Sequence, residues 1–255
     1  HVFEKSESQA FASDELDALK NLSHTNIVRL FDVIETSKGG VAICTSYINK
    51  PQGIDKYLIE KIAPKSQECD SELSKYGSPK NLDIICKVLM KWIYELALGI
   101  SYMHDNGYAH MDIKPANILM MTTNVMKETK PIITDMGSCI NRRNVPARAH
   151  FTWAYAHPEL TDISGQLNSF TTEAKRVSSN IMHPERIFIY DLFAFGKTIQ
   201  QLLAIIEEYY KKTCYSNYTF RYIHIISALL LDGKSPPISS ETGLSFITPI
   251  PLGYT

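Results

Sequence analysis

The sequence has no CxxC pair, no internal repeat, no low-complexity tract and almost no net charge. Its five cysteines, Cys44, Cys69, Cys86, Cys139 and Cys214, are odd in number and scattered. That argues against a disulfide framework and reads as free thiols in a reducing compartment. A formal net charge of -1 argues against a nucleic-acid or membrane-surface binder. No signal-peptide pattern opens the chain, and no apolar run approaches the roughly 20 residues needed to span a bilayer. His104, His110, His150 and His157 lack ligand-type neighbours, so they make no metal case. These absences lead us to expect an intracellular, cytoplasmic protein with no transmembrane segment and no nucleic-acid partner.

Apolar residues form 44% and charged residues 21% of the 255 positions, an ordinary globular balance with enough chain for one large domain or two lobes. Residues 11–23 space Phe11, Leu16, Leu19 and Leu22 as a helix, with Ser13 or Asp14 as a candidate cap. Residues 24–35 and 41–48 are β-rich and apolar around the turn signal Lys38-Gly39-Gly40, which predicts a strand pair. Residues 61–80 are polar and read as a surface insertion. Residues 82–104 carry the strongest helical stripe, from Leu82 and Ile85 to Ile100 and Met103, ended by Asn106-Gly107. Two short apolar runs follow, at 118–120 and 131–134, each suited to a short strand. Residues 190–210 and 218–231 read as helices, and the tail from Lys234 as extended. Strands come early and helices later, which suggests a small mixed lobe before a helical one.

The chemistry concentrates in His110-Met111-Asp112-Ile113-Lys114-Pro115-Ala116-Asn117 and in Asp135-Met136-Gly137. Phosphoryl transfer needs a carboxylate at the attacking hydroxyl, a cation on the transferred phosphate and hard oxygen ligands for magnesium. Asp112, Lys114, Asn117 and Asp135 supply those groups, and Gly137 allows a tight turn beside the last. Taken singly, each is an ordinary loop residue; the combination after a long amphipathic helix is the signal.

With these motifs the sequence resembles the eukaryotic protein kinase family. HMDIKPAN matches the HRDxKPxN catalytic loop, DMG the DFG triplet, and His157-Pro158-Glu159 the APE triplet. Asp191-Leu192-Phe193-Ala194-Phe195-Gly196 resembles the DxWxxG that opens the large helix beneath the catalytic loop, where the Asp braces the loop backbone. SDELDALKNLSHTNIVRLFDVIE is similar to the αC helix and the strand after it. The resemblance spans roughly residues 11–232, in family order. It implies an α+β, two-lobed protein-kinase-like fold with a truncated N-lobe and a mainly helical C-lobe. Residues 1–48 would be the partial N-lobe, and 49–255 the C-lobe with insertions near 61–80 and 160–190.

The resemblance further implies ATP and Mg2+ as cofactors and a protein substrate, with the oligomeric state left open. Asp112 becomes the catalytic base, Lys114 the phosphate contact, and Asn117 and Asp135 the metal ligands. Glu15 takes the αC glutamate position, Thr45 the gatekeeper, Ser46, Tyr47 and Ile48 the adenine-contacting backbone, and Leu119 the floor under adenine. Lys114 two residues after Asp112, and Thr152 in the peptide-binding loop, follow the serine/threonine pattern. The GYAHMDIKPANIL, DMGS and YxxPEL patterns look like the numb-associated kinase group, and Met111 before Asp-Ile-Lys-Pro is similar to the wee-type kinases.

Four departures carry expectations. The glycine-rich loop and the strand lysine that pairs with the αC glutamate are not visible, and Lys5 lies too close to the helix. Either they precede His1, which is not a Met, or the protein is a pseudokinase acting as scaffold or allosteric partner. Met111 replaces the arginine that reaches an activation-segment phosphate, which predicts phosphorylation-independent activity. Residues 160–190 are long and predict a disordered insertion, with a basic substrate surface of Lys175, Arg176 and Arg186 as the alternative. The late arginine that pairs with the APE glutamate is absent, so Glu159 is expected to lack its partner.

Overall fold

A computed structural model of the chain describes residues 2–3, 8–36, 40–62, 79–122, 129–145, 148–162, 175–176 and 183–232. The upper part holds strand β1 (Val2–Phe3), helix α1 (Ser8–Asn21) and strands β2 (Leu30–Glu35) and β3 (Val41–Thr45). The three strands form one antiparallel sheet in the order β1-β3-β2. β2 and β3 pair as their β-rich composition predicts, with a bulge between Leu30 and Asp32. Residues 24–29 and 46–48 lie outside these strands. Helix α1 begins at Ser8, so Ser13 and Asp14 are inside it rather than at its cap.

The lower part is helical. It comprises α2 (Ile54–Ile62), α3 (Pro79–Asp105), α4 (Pro158–Asp162), α5 (Ile187–Tyr210) and α6 (Tyr218–Leu231). The stripe on α3 is buried at Leu82, Leu89, Ile93, Leu96, Ile100 and Met103, and Gly107 closes the helix at φ 83°, with its N–H on His104 O at 2.9 Å. Beyond it lie two short ladders. β4 (Tyr108–Ala109) pairs with β7 (Ile140–Asn141), and β5 (Ile118–Thr122) with β6 (Thr129–Ile133), both antiparallel. A third, β8 (Arg148–Ala149) with β9 (Lys175–Arg176), changes the reading of residues 160–190. Part of that stretch returns to pair with the segment before Thr152. Residues 63–78, most of the expected insertion near 61–80, lie outside the described residues, as does the tail from 233.

Most apolar side chains form one core running from Ala18 and Leu19 of α1, and Leu22 just after it, through α3 to α5 and α6. A second cluster gathers Ala109, Met111, Ile140, Ala149, Phe151, Leu160, Ile187 and Tyr190 around residues 110–117. α5 is long and apolar enough, by length and composition alone, to cross a membrane, which differs from the expectation that no run would approach that length. Its most apolar window is 61% buried inside the fold, and it carries the fully buried Asp191 near its start, the pattern of a core helix.

Gly196 sits where α6 crosses α5. A Cβ there would stand 3.0 Å from Ser227 O and 3.1 Å from Leu231 Cγ. Glycine in a helix interior costs about 0.5–1 kcal/mol against alanine, and here it permits the closest approach of two core helices. Gly196→Val should therefore lose about 2 kcal/mol or more by overpacking, read as a lowered midpoint of denaturant unfolding; an unchanged midpoint refutes this account of the crossing.

Candidate active site

β4 runs directly into residues 110–117, and the backbone there is strained. Met111 has φ 66°, where a residue with a Cβ loses roughly 1–2 kcal/mol. One carboxylate holds it. Asp191 Oδ2 accepts the N–H of His110 and Oδ1 that of Met111, each at 2.7 Å. His104 from the end of α3 adds a bond from Nε2 to Asp191 Oδ2 at 2.9 Å. Asp191 is wholly buried, so these donors take the place of the water its carboxylate loses.

His110 extends the brace. Its Nδ1 accepts the Asp112 N–H at 3.3 Å, which makes Nε2 the protonated nitrogen, and Nε2 donates to Thr134 O at 3.0 Å. Thr134 in turn donates its N–H to Asn117 O at 2.9 Å and its hydroxyl to the same oxygen at 3.1 Å. Asp135 follows at φ 64°, a conformation that aspartate tolerates better than most residues. The loop and the Asp-Met-Gly turn are thus one hydrogen-bonded unit. Met136 is fully buried in the main core, and α1 packs on the 3-10 turn Met136–Ser138.

The reactive groups converge on Asp112. Lys114 Nζ donates to Asp112 Oδ2 at 2.6 Å and to Thr152 Oγ1 at 2.8 Å. Asn117 Nδ2 donates to the same Oδ2 at 3.0 Å and to Asp112 O at 2.9 Å. Thr152 N donates to Asp112 Oδ1 at 2.9 Å. A carboxylate oxygen accepts about two hydrogen bonds. Oδ2 is therefore filled, while Oδ1 keeps a lone pair for an incoming hydroxyl. Lys114 keeps one N–H beyond the two it uses.

The cation question can be put to the same atoms. Asn117 spends its amide nitrogen on Asp112, and its amide oxygen has no hydrogen-bond partner among the described residues. Asp135 is exposed and likewise makes no hydrogen bond or ion pair among them. An amide and a carboxylate oxygen are hard ligands of the kind that suits magnesium, which keeps water and substrate phosphates as its other ligands. No group of three His, Cys, Asp or Glu side chains able to hold a metal occurs among the described residues, which fits such a partly substrate-built site rather than an all-protein cage.

The upper residues are less tightly gathered. Glu15 is 4% exposed, and burial together with the Asp135 carboxylate raises its pKa. No lysine or arginine pairs with it among the described residues. Thr45, Ser46 and Tyr47 are exposed and Ile48 buried. The Ser46 N–H is committed to Arg29 O at 2.8 Å, whereas Tyr47 and Ile48 make no backbone hydrogen bond among the described residues and so keep donors and acceptors for a ligand. Leu119 is partly buried on β5, bridged to Gly53 and packed on the main core.

Two residues were not legible as part of the site. His104 reads as an ordinary core histidine, and Thr134 as a strand end; neither has a local signal, because each acts on a residue distant in sequence. The expectation for Glu159 is corrected. Arg186 Nη2 lies on Glu159 Oε1, and Tyr190 Oη donates to Oε2 at 3.4 Å. The partner comes from just before α5 rather than from the C-terminal end. Both side chains are more than a third exposed, so the pair is worth at most about 1 kcal/mol.

A fold of this kind, with a strained loop braced from α5 and a Lys-Asp-Thr-Asn cluster, is that of a protein kinase domain. The family described as protein kinase domain matches residues 2–213, and the chain belongs to that family. It is also similar to the maternal embryonic leucine zipper kinase of Xenopus laevis, at 29% identity over 150 residues. That match covers 57% of this chain and 19% of the relative.

Asp191→Ala should remove the acceptor of two buried backbone donors at once and lower stability by about 3 kcal/mol or more. Thermal or chemical denaturation tests it; a variant as stable as the parent would show that the brace is not the source of the loop's conformation.

Proposed function

We propose that this domain transfers the γ-phosphoryl group of ATP to serine or threonine hydroxyls of a protein substrate. The observation that carries the reading is the Asp112–Lys114–Thr152 triangle, in which the free lone pair of Asp112 Oδ1 and the spare N–H of Lys114 face one reaction. Asp112 orients the hydroxyl and takes its proton. Lys114, held between Asp112 and Thr152, contacts the transferred phosphoryl group. Bound Mg2+ would neutralise phosphate charge, and Asn117 and Asp135 would hold it through their oxygens. Glu15 belongs to the phosphate side of the cofactor site, and Tyr47 and Ile48 offer the backbone groups for adenine over Leu119. The threonine bridge between Lys114 and the peptide-binding turn supports an alcohol rather than a phenol as acceptor. The free thiols among the described residues support a cytoplasmic setting.

In the full-length protein, Asp112→Asn should lower kcat by at least about 100-fold, the span general-base groups supply, while magnesium-ATP still binds by calorimetry. Activity retained in that variant would sink the assignment. One observation favours a second reading, a pseudokinase scaffold: Glu15 has no cationic partner among the described residues. Failure of the unmodified full-length protein to bind magnesium-ATP would decide for it.

Regulation follows from Met111. It is 4% exposed and lies in the apolar cluster with Ile140, Ala149 and Phe151. Apolar burial here occupies the position where an arginine would need a phosphate. Phosphatase treatment should leave the rate within about twofold, since no charge-assisted contact at this position is lost; activity that appears only after phosphorylation of residues 138–152 would overturn this.

A further inference from the structure

Helix α1 makes a second polar contact that the reaction itself does not use. Asp17, two residues after Glu15, is exposed, and its carboxylate meets the β4–β7 ladder. Tyr108 Oη donates to Asp17 Oδ2 at 2.7 Å, and Asn141 Nδ2 approaches the same oxygen at 3.4 Å. Asn21 Nδ2 donates to Asp17 Oδ1 at 3.1 Å and to the Asp17 carbonyl at 2.8 Å, which steadies the carboxylate from its own helix. Tyr108 and Asn141 are cross-strand partners. β4 leads into His110, and β7 begins just after Cys139, so this ladder joins the catalytic loop to the segment that follows Asp135.

α1 also packs into the main core through the apolar side chains of Ala18 and Leu19. Such contacts are non-directional and permit a helix to roll. A carboxyl at the rim of a helix lies about 5–6 Å from its axis, so a roll of 20° would carry Glu15 by roughly 2 Å, enough to break a hydrogen bond. Burial and the Asp17 bond push the Tyr108 phenol up to about 12, so it remains a donor at any ordinary pH.

We propose that Asp17, gripped by Tyr108 and Asn141, fixes the rotation of α1 and thereby the place of Glu15 beside Asp135. Asp17 is a positioning residue, and its link to cofactor binding rests on the phosphotransfer reading above. The grip uses neutral donors on the ladder side, so it needs no phosphate and no second protein.

The test combines hydrogen exchange across α1 with ATP kinetics in the full-length protein. Tyr108→Phe removes one hydroxyl and keeps the buried ring. It should speed exchange of the α1 amides about five- to tenfold, the range one net hydrogen bond allows, and raise KM for ATP by a similar factor with KM for the protein substrate unchanged. Asp17→Ala should match it, and the double variant should be no worse than either alone. Asp17→Asn, which keeps an acceptor oxygen, should recover most of the loss. Unchanged α1 exchange in both Tyr108→Phe and Asp17→Ala overturns the proposal, as does faster exchange with an unchanged KM for ATP. Should Tyr108→Phe fold poorly, the surface variant Asp17→Ala decides alone. If the unmodified protein does not turn over ATP, the phosphotransfer reading fails, and α1 exchange still decides whether Asp17 holds the helix.

Discussion

The site depends on one buried carboxylate. Asp191 stands at the start of the central helix and accepts the N–H groups of His110 and Met111 together with the imidazole of His104. A strained left-handed residue persists only where surrounding structure over-determines it. Here the determination is electrostatic: an uncompensated buried carboxylate is costly, so the loop that supplies its donors is held firmly. From that point the order propagates through bonds of ordinary length. His110 bonds Thr134, Thr134 bonds the Asn117 carbonyl, and the Asn117 amide nitrogen bonds Asp112. The reactive carboxylate of Asp112 is fixed last, with one lone pair left open.

Around this polar framework the two apolar clusters divide the work. The main core joins α1 to the long helices and seats Met136 beneath α1. The second cluster holds the segment from Ile140 to Leu160 against the catalytic loop, with Met111 inside it. An arginine at that position would need an anion when buried; methionine needs only volume and adapts to irregular space. The segment after Asp135 is therefore held by packing, by the Thr152 contacts with Asp112 and Lys114, and by the Glu159–Arg186 pair at its end. The return of Lys175–Arg176 to pair with Arg148–Ala149 adds backbone bonds to the same segment.

Much of this was legible from residues alone. The helical spacing of 82–104 and 218–231 marked α3 and α6 closely, since a period near 3.6 survives any tertiary context. Asp112, Lys114 and Asn117 could be singled out because they sit in one short motif, and the structure joins their side chains by hydrogen bonds. Other features were not. The start of α1 at Ser8 and the absence of a strand over 24–29 depend on what those residues pack against. The strand at Lys175–Arg176 was hidden because a two-residue strand has no periodicity to read. Arg186 as the partner of Glu159 was hidden for the same reason: an ion pair across 27 positions leaves no local trace.

The sequence by itself determined the family, the order of elements and which motif residues are candidates for chemistry, because those are encoded in residue type and local spacing. Only the tertiary structure decided which oxygen of Asp112 stays open, that His104 and Thr134 belong to the site, that Met111 is buried rather than presented to a phosphate, and that Asp17 meets Tyr108 and Asn141. The reason is physical. Hydrogen-bond direction and burial are properties of atoms brought together from distant positions, and their geometry exists only once the chain has packed.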